Sequence, residues 1–305
     1  MNDVKKPRKL KPGDRVAAIT LSWGGPHQFP HRYVAGKTCL QEVFGLEVTE
    51  TRHALRSPEW LARNPQARAE DLMEAFADAE IKGILSTIGG DDSIRLLPWL
   101  DPAVIRANPK VLMGFSDTTV THWACLNAGL VSFYGPSIMA GFAENGGMFP
   151  YGIASIRKTL FNAEPIGLLT PNPDGWTVEH LDWGQPENQG RRRTLNRPEP
   201  WRFLQGEGVA EGRLVGGCLE VVDWLRGTEV WPAPSVWDDA ILFLETSEDA
   251  PPPSAVARAL RSLAALGILL NQYLTRRTLL SRWAFAATVL VAALITGFWR
   301  WPLVG

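Results

Sequence analysis

The stretch Lys110-Val-Leu-Met-Gly-Phe-Ser-Asp-Thr-Thr119 constrains the fold more than any other. The apolar run Val111 to Met113 reads as a short buried strand, Gly114 punctuates it, and a helix-like segment spans Thr118 to Leu126. A strand that stops and turns into a helix at a serine has the geometry of a nucleophile elbow, which pushes the hydroxyl out of the sheet. The helix N-terminus beneath it offers free N–H groups and the positive end of a dipole to a developing negative charge. The usual Gly-x-Ser-x-Gly spacing is not met, because Thr118 stands where the second glycine would be. Ser116 or Asp117 serving only as a helix N-cap is the alternative, and both readings stay open on local pattern.

The elbow sits in an alternating chain. Residues 15–22 and 46–50, Lys82 to Ile88, Val111 to Phe115 and Leu130 to Tyr134 read as strands. Helical spacing falls between them, at His31 to Phe44, Pro65 to Ala79 and Ile94 to Leu100. That order predicts a parallel α/β sheet with helices on both faces, and ligands then sit beyond the C-terminal strand ends. Both Gly89-Gly90 and Ser116 lie there. Gly89-Gly90 is either a tight turn or a close backbone approach to a substrate. It is not a phosphate loop, since no Gly-Lys-Ser/Thr follows and Gly-x-Gly-x-x-Gly is absent.

From about Phe161 to Trp201 proline, asparagine, glycine and the basic run Arg191 to Arg193 break regular structure. This is a long connection, with an ordered loop or hairpin expected at Trp176 to Trp183. Its tryptophans suit stacking on a flat ligand group, or packing of the connection itself. Beyond Gly206 the sequence predicts a strand with turns to Gly217, a short helix from Cys218 to Leu225, a strand Ala240 to Glu245, and a helix from Ser254 to about Leu266. Glu245 at a strand end can polarise a histidine or simply be a solvated terminus.

Charge narrows the partners. Lys and Arg total 31 against 32 Asp and Glu, so no electrostatic footprint for nucleic acid exists. Three widely spaced cysteines, Cys39, Cys125 and Cys218, argue against disulfides and a zinc site and suit a reducing, cytoplasmic compartment. Met1 to Lys11 is basic with no apolar core behind it and reads as a solvated leader.

Five segments in one order carry a resemblance: Ser86 to Pro98, Gly114 to Thr119, Phe133-Tyr-Gly-Pro136, Leu214 to Glu220 and Ile241 to Thr246. Together they resemble the LD-carboxypeptidase family of serine peptidases, in its microcin C immunity branch, over roughly Lys9 to Leu269. The resemblance implies a flavodoxin- or class I amidotransferase-like parallel-sheet nucleophile domain (1–165), a connecting segment (166–205), and a smaller β-rich α+β domain (206–269). It implies a Ser–His–Glu hydrolase with Ser116 as nucleophile and Glu245 as carboxylate, Glu220 being the second candidate. Asp117 and Gly90 would supply the oxyanion-hole amides, and Trp176 and Trp183 would contact substrate. The substrate would be a murein peptide or a peptidyl-nucleotide, with no metal or cofactor, and the family often forms homodimers.

The family's triad histidine comes late, yet His27, His31, His53, His122 and His180 all precede Glu245. An active hydrolase and an inactive ligand-binding relative are therefore both expected readings. His122, six residues past Ser116, should point away from it; His180 lies in the connection. The family pattern stops near Leu269, so the second domain reads as truncated and residues 270–305 as a non-family tail. Residues 283–299 form an uncharged run with Trp at both ends and Arg276, Arg277 and Arg282 before it. A short transmembrane helix tethering the chain to a membrane, a buried helix and a fused end all fit that run.

Overall fold

The computed structural model describes residues 4–202, 204 and 209–268. The larger sheet has five parallel strands in the order β2-β1-β3-β4-β5: β1 (Arg15–Ile19), β2 (Glu47–Glu50), β3 (Ile81–Ser86), β4 (Val111–Gly114) and β5 (Phe133–Tyr134). This is the flavodoxin-type order of doubly wound sheets. β1 and β4 are buried on both faces, as strands covered by helices must be.

The helices are α1 (Gly25–Gln28), α2 (Pro30–Glu42), α3 (Pro58–Arg63), α4 (Pro65–Ala77), α5 (Pro102–Ala107), α6 (Thr119–Asn127) and α7 (Pro150–Leu160), with a 3₁₀ segment at Ser93–Trp99. Leu40 of α2 and Ile156 and Leu160 of α7 pack one face with Val16, Leu85 and Met113. On the other face, Leu72 and Phe76 of α4, Ile105 of α5 and Trp123 of α6 meet Ala17, Ile84 and Leu112. Helices α3 and α5 were not expected from periodicity. Each starts on proline behind a capping side chain. Ser57 Oγ accepts the Trp60 N–H at 3.3 Å, and Asp101 Oδ1 accepts the Ala103 N–H at 2.8 Å.

Two edges differ from expectation. Only Phe133 and Tyr134 pair with β4; Leu130 instead bridges Lys5. The N-terminal segment is accordingly no solvated leader. The Lys5 N–H reaches Gly129 O at 2.8 Å, and Leu10 is buried with its N–H on Leu160 O at 2.8 Å. Basic side chains hid a backbone that runs along the sheet.

The smaller sheet consists of parallel β6 (Arg213–Cys218) and β7 (Ala240–Glu245), with α8 (Leu219–Trp224) between them and α9 (Pro253–Ala265) after. Two strands with two helices are not the β-rich unit expected, among the described residues. Gly216-Gly217, at the end of the segment read as a strand with turns, lie within β6. A Cβ on Gly216 would stand 1.7 Å from Phe243 O, and one on Gly217 would stand 2.5 Å from Thr119 Cγ2. These glycines are there for close approach, not for a bend. This sheet docks on α6: the buried Trp123 ring lies 5.3 Å from Trp231 and 5.8 Å from Trp237, and its Nε1 donates to Gly216 O at 2.8 Å.

In the connection, the expected ordered loop or hairpin carries a single antiparallel bridge, Trp176 to Asn196. No helix among the described residues is long and apolar enough to cross a membrane. The 283–299 run lies outside the described residues.

Candidate active site

Ser116 ends β4 and opens a 3₁₀ turn that runs into α6. Its φ is +58°, a left-handed conformation that costs a non-glycine residue about 1–2 kcal/mol. Strain at the residue between strand and helix is what an elbow requires. Gly89 lies against it: a Cβ there would stand 3.0 Å from both Ser116 Cβ and Oγ, and 3.5 Å from the Asp117 nitrogen. Glycine at 89 leaves that space open for a reacting group.

Asp117 is fully buried and does not cap its own helix. Its Oδ2 accepts the N–H groups of Asp92 at 3.1 Å and Ser93 at 2.9 Å, and Ser93 Oγ donates to Asp117 O at 2.8 Å. The side chain therefore ties the Gly89–Ser93 loop to the elbow. Burial pushes its carboxyl above the usual range, opposed by hydrogen bonds from Ser22 and Ser93. A Cβ on Gly90 (φ +143°) would meet Ser22 Oγ at 2.3 Å and the Trp23 nitrogen at 3.0 Å, whereas one on Gly89 would meet Ser116.

Glu245, at the end of β7, reaches the same place from the other sheet. Tyr134, at the end of β5, donates its Oη to Glu245 Oε1 and accepts the Ser116 N–H at 2.9 Å. Burial raises the Glu245 carboxyl, with the hydrogen bond from Tyr134 pulling the other way. Glu220 goes elsewhere, accepting from Ser247 N at 3.0 Å and Ser247 Oγ at 2.7 Å. Of the two carboxylates considered, Glu245 is the one joined to the elbow.

His122 is no base for Ser116. It is buried, with Nε2 2.9 Å from Gly114 O and Nδ1 2.8 Å from Ser132 Oγ. Burial lowers its pKa to about 4, from an ordinary value of 6.5. Between those values the unfolded chain binds more protons than the folded one, so stability falls as pH drops through the window. The full penalty is about 3 kcal/mol. Urea unfolding at pH 7 and pH 4.5 should show that loss in the wild type and a smaller one in His122→Asn. Equal losses in both proteins would remove His122 from the account. His53 is committed to Asp71 at 2.9 Å and stacks on Trp60 at 4.9 Å.

The two tryptophans lie in different surroundings. Trp183 stands edge-on to Phe29 at 6.0 Å, with the Arg32 guanidinium 4.1 Å over its ring. Arg32 is itself buried and donates to Met139 O at 2.9 Å and Asn145 Oδ1 at 3.0 Å; desolvation lowers its pKa to about 10. Trp176 lines a separate cleft with about 580 Å³ of open space, beside Tyr151 and the buried Glu144–Arg193 ion pair (2.5 Å). Among the described residues no group of three or more His, Cys, Asp or Glu side chains is placed to hold a metal.

The arrangement has the parts for acyl transfer. A half-buried serine hydroxyl sits on a strained turn with backbone N–H groups beside it, and a buried carboxylate is joined to that turn. Sequence reasoning assigned no role to Tyr134 or Thr119, although the Phe133-Tyr-Gly-Pro136 segment at a strand end was the available signal for the first.

Family models bear on the same elements. That for the LD-carboxypeptidase N-terminal domain matches residues 16–135, and that for its C-terminal domain matches 211–272. The microcin C7 self-immunity protein MccF of Escherichia coli is 31% identical over 240 residues, covering 78% of this chain and 68% of that protein. A probable murein peptide carboxypeptidase of Bacillus subtilis is 34% identical over 247 residues, covering 81% and 66%. The crystal structure of an MccF-like protein from Streptococcus pneumoniae in complex with AMP superposes with a TM-score of 0.76 at 30% identity, covering 85% of this chain and 80% of that one. With both domain models matched in order around one elbow, this chain belongs to the LD-carboxypeptidase family.

Proposed function

We propose that this chain is a serine-type amide hydrolase that cleaves next to a free carboxylate, in murein peptides or peptidyl-nucleotide compounds. The observation that carries this reading is the Ser116 elbow, strained at φ +58°, open toward Gly89 and joined through Tyr134 to Glu245. Ser116 attacks the amide carbonyl. The N–H groups of Asp117 and of Gly90, which follows directly on Gly89, receive the oxyanion. A histidine imidazole oriented by Glu245 takes the Ser116 proton and returns it to the leaving amine, and water then releases the acyl group from Ser116. Trp176 and Trp183 contact the substrate beyond the scissile bond; an aromatic face suits a nucleobase in the peptidyl-nucleotide case. The part up to about residue 165 carries the nucleophile and the part from about 206 carries the carboxylate. Three free thiols, Cys39, Cys125 and Cys218, suit action in the cytoplasm.

A second reading is favoured by one observation: no histidine follows Glu245. On it, the chain binds such ligands without cleaving them. A fluorophosphonate probe followed by peptide mapping separates the two. Adduct on Ser116 is expected for the hydrolase; a folded protein that takes no adduct on Ser116 belongs to the second reading.

A further inference from the structure

Both backbone polar groups of Ser116 are held by side chains that also bind the smaller sheet. On the nitrogen side, the Ser116 N–H donates to Tyr134 Oη, which donates to Glu245 of β7. On the carbonyl side, Thr119 Oγ1 donates to Ser116 O at 2.6 Å and accepts the Cys218 N–H of β6 at 3.1 Å. Cys218 and Glu245 are register partners across the β6–β7 ladder, so the two tethers end on adjacent points of one sheet. Each hydroxyl uses its donor and its acceptor in this bridge.

We propose that Tyr134 and Thr119 are positioning residues that form a yoke, through which the docked β6–β7 sheet holds the Ser116 peptide in its left-handed conformation. The proposal rests on Ser116 being the nucleophile and adds what keeps it poised. A left-handed serine persists only where its surroundings over-determine it. Here the constraint on each side of the residue comes from a hydroxyl bound to the other sheet. The geometry leaves little slack. Gly217 admits Thr119 against its α-carbon, where a Cβ would meet Oγ1 at 2.6 Å, and the Tyr134 ring packs edge-on to Phe243 of β7 at 5.3 Å. Burial pushes the Tyr134 phenol well above its ordinary value, so it remains an O–H donor to Glu245 at every working pH. Removing the phenol oxygen takes away the acceptor that the Ser116 N–H meets at 2.9 Å.

The test compares Tyr134→Phe, Thr119→Val and Thr119→Ser in the full chain. Two readouts are taken: the rate of fluorophosphonate labelling at Ser116, and residue-resolved amide hydrogen exchange. Tyr134→Phe and Thr119→Val should label at least tenfold more slowly than the wild type, with Thr119→Ser restoring the rate because it keeps the hydroxyl. In Tyr134→Phe the Ser116 amide should exchange at least tenfold faster, while amides of β1 and β3 keep their protection. Unchanged labelling with unchanged Ser116 exchange would overturn the yoke. So would a loss of protection spread evenly over β1 and β3, since that is the mark of ordinary packing. If the folded wild type takes no label, the nucleophile reading fails, and the exchange measurement still decides the yoke.

Discussion

Ser116→Ala should abolish amide hydrolysis and fluorophosphonate labelling, a loss on the order of 10⁶-fold in kcat if the site works as a serine triad. Ser116→Gly should be equally inactive but behave differently in a melt. Alanine inherits the left-handed φ of +58°, whereas glycine adopts it freely. The glycine variant should therefore be about 1 kcal/mol more stable than the alanine variant, read as a higher urea midpoint with an unchanged slope. Equal midpoints would mean that the elbow stores no strain. The pair separates loss of the nucleophile from loss of the fold, because neither substitution removes a buried group.

The second large effect concerns the seam between the sheets. Trp123→Ala should cost about 3–5 kcal/mol, the usual range for truncating a fully packed tryptophan. The ring is 2% exposed, fills the space between Trp231 and Trp237, and spends its N–H on Gly216 O. Truncation leaves a cavity and an unpaired carbonyl in the middle of β6. Thermal melts should fall by about 10 °C, given 2–4 °C per kcal/mol for a domain of this size. Trp123→Phe should lose markedly less, since it keeps most of the volume. Because Gly216 lies on β6, the strand whose Cys218 tethers Thr119, Trp123→Ala should also slow Ser116 labelling in protein that is still folded. A loss below 1 kcal/mol would mean that β6 is not anchored through this ring.

What the sequence made legible follows from the range of the forces involved. Alternating apolar runs and helical spacing are local, so β1, β3, β4, β7, α2 and α4 fall close to their expected places. The elbow at Ser116 was legible because the strand, Gly114, the serine and the helix are contiguous. Helices α3 and α5 were hidden because at six residues each they are too short for apolar spacing to show, although Ser57-Pro58 and Asp101-Pro102 are helix starts. The strand up to Gly217 was legible, but the reason for two glycines in it was not, because it is a neighbour from elsewhere in the chain: Phe243 O for one glycine, Thr119 for the other. Tyr134 shows the same limit. Its two hydrogen-bond partners lie 18 and 111 residues away, and no local pattern encodes that meeting. Glu245 was the first carboxylate candidate and Glu220 the second, and their tertiary contacts differ, one bound to Tyr134 and the other to Ser247.

The meeting at Tyr134 also has a consequence for the order of events during synthesis. Ser116 and Tyr134 leave the ribosome early, whereas Glu245 and Cys218 emerge about a hundred residues later or more, near the end of the described chain. At roughly 5–20 residues per second, the newborn larger sheet spends on the order of ten seconds without the strands that restrain its serine. On the yoke proposal, a half-made chain carries a relaxed turn at Ser116 until β6 and β7 have docked.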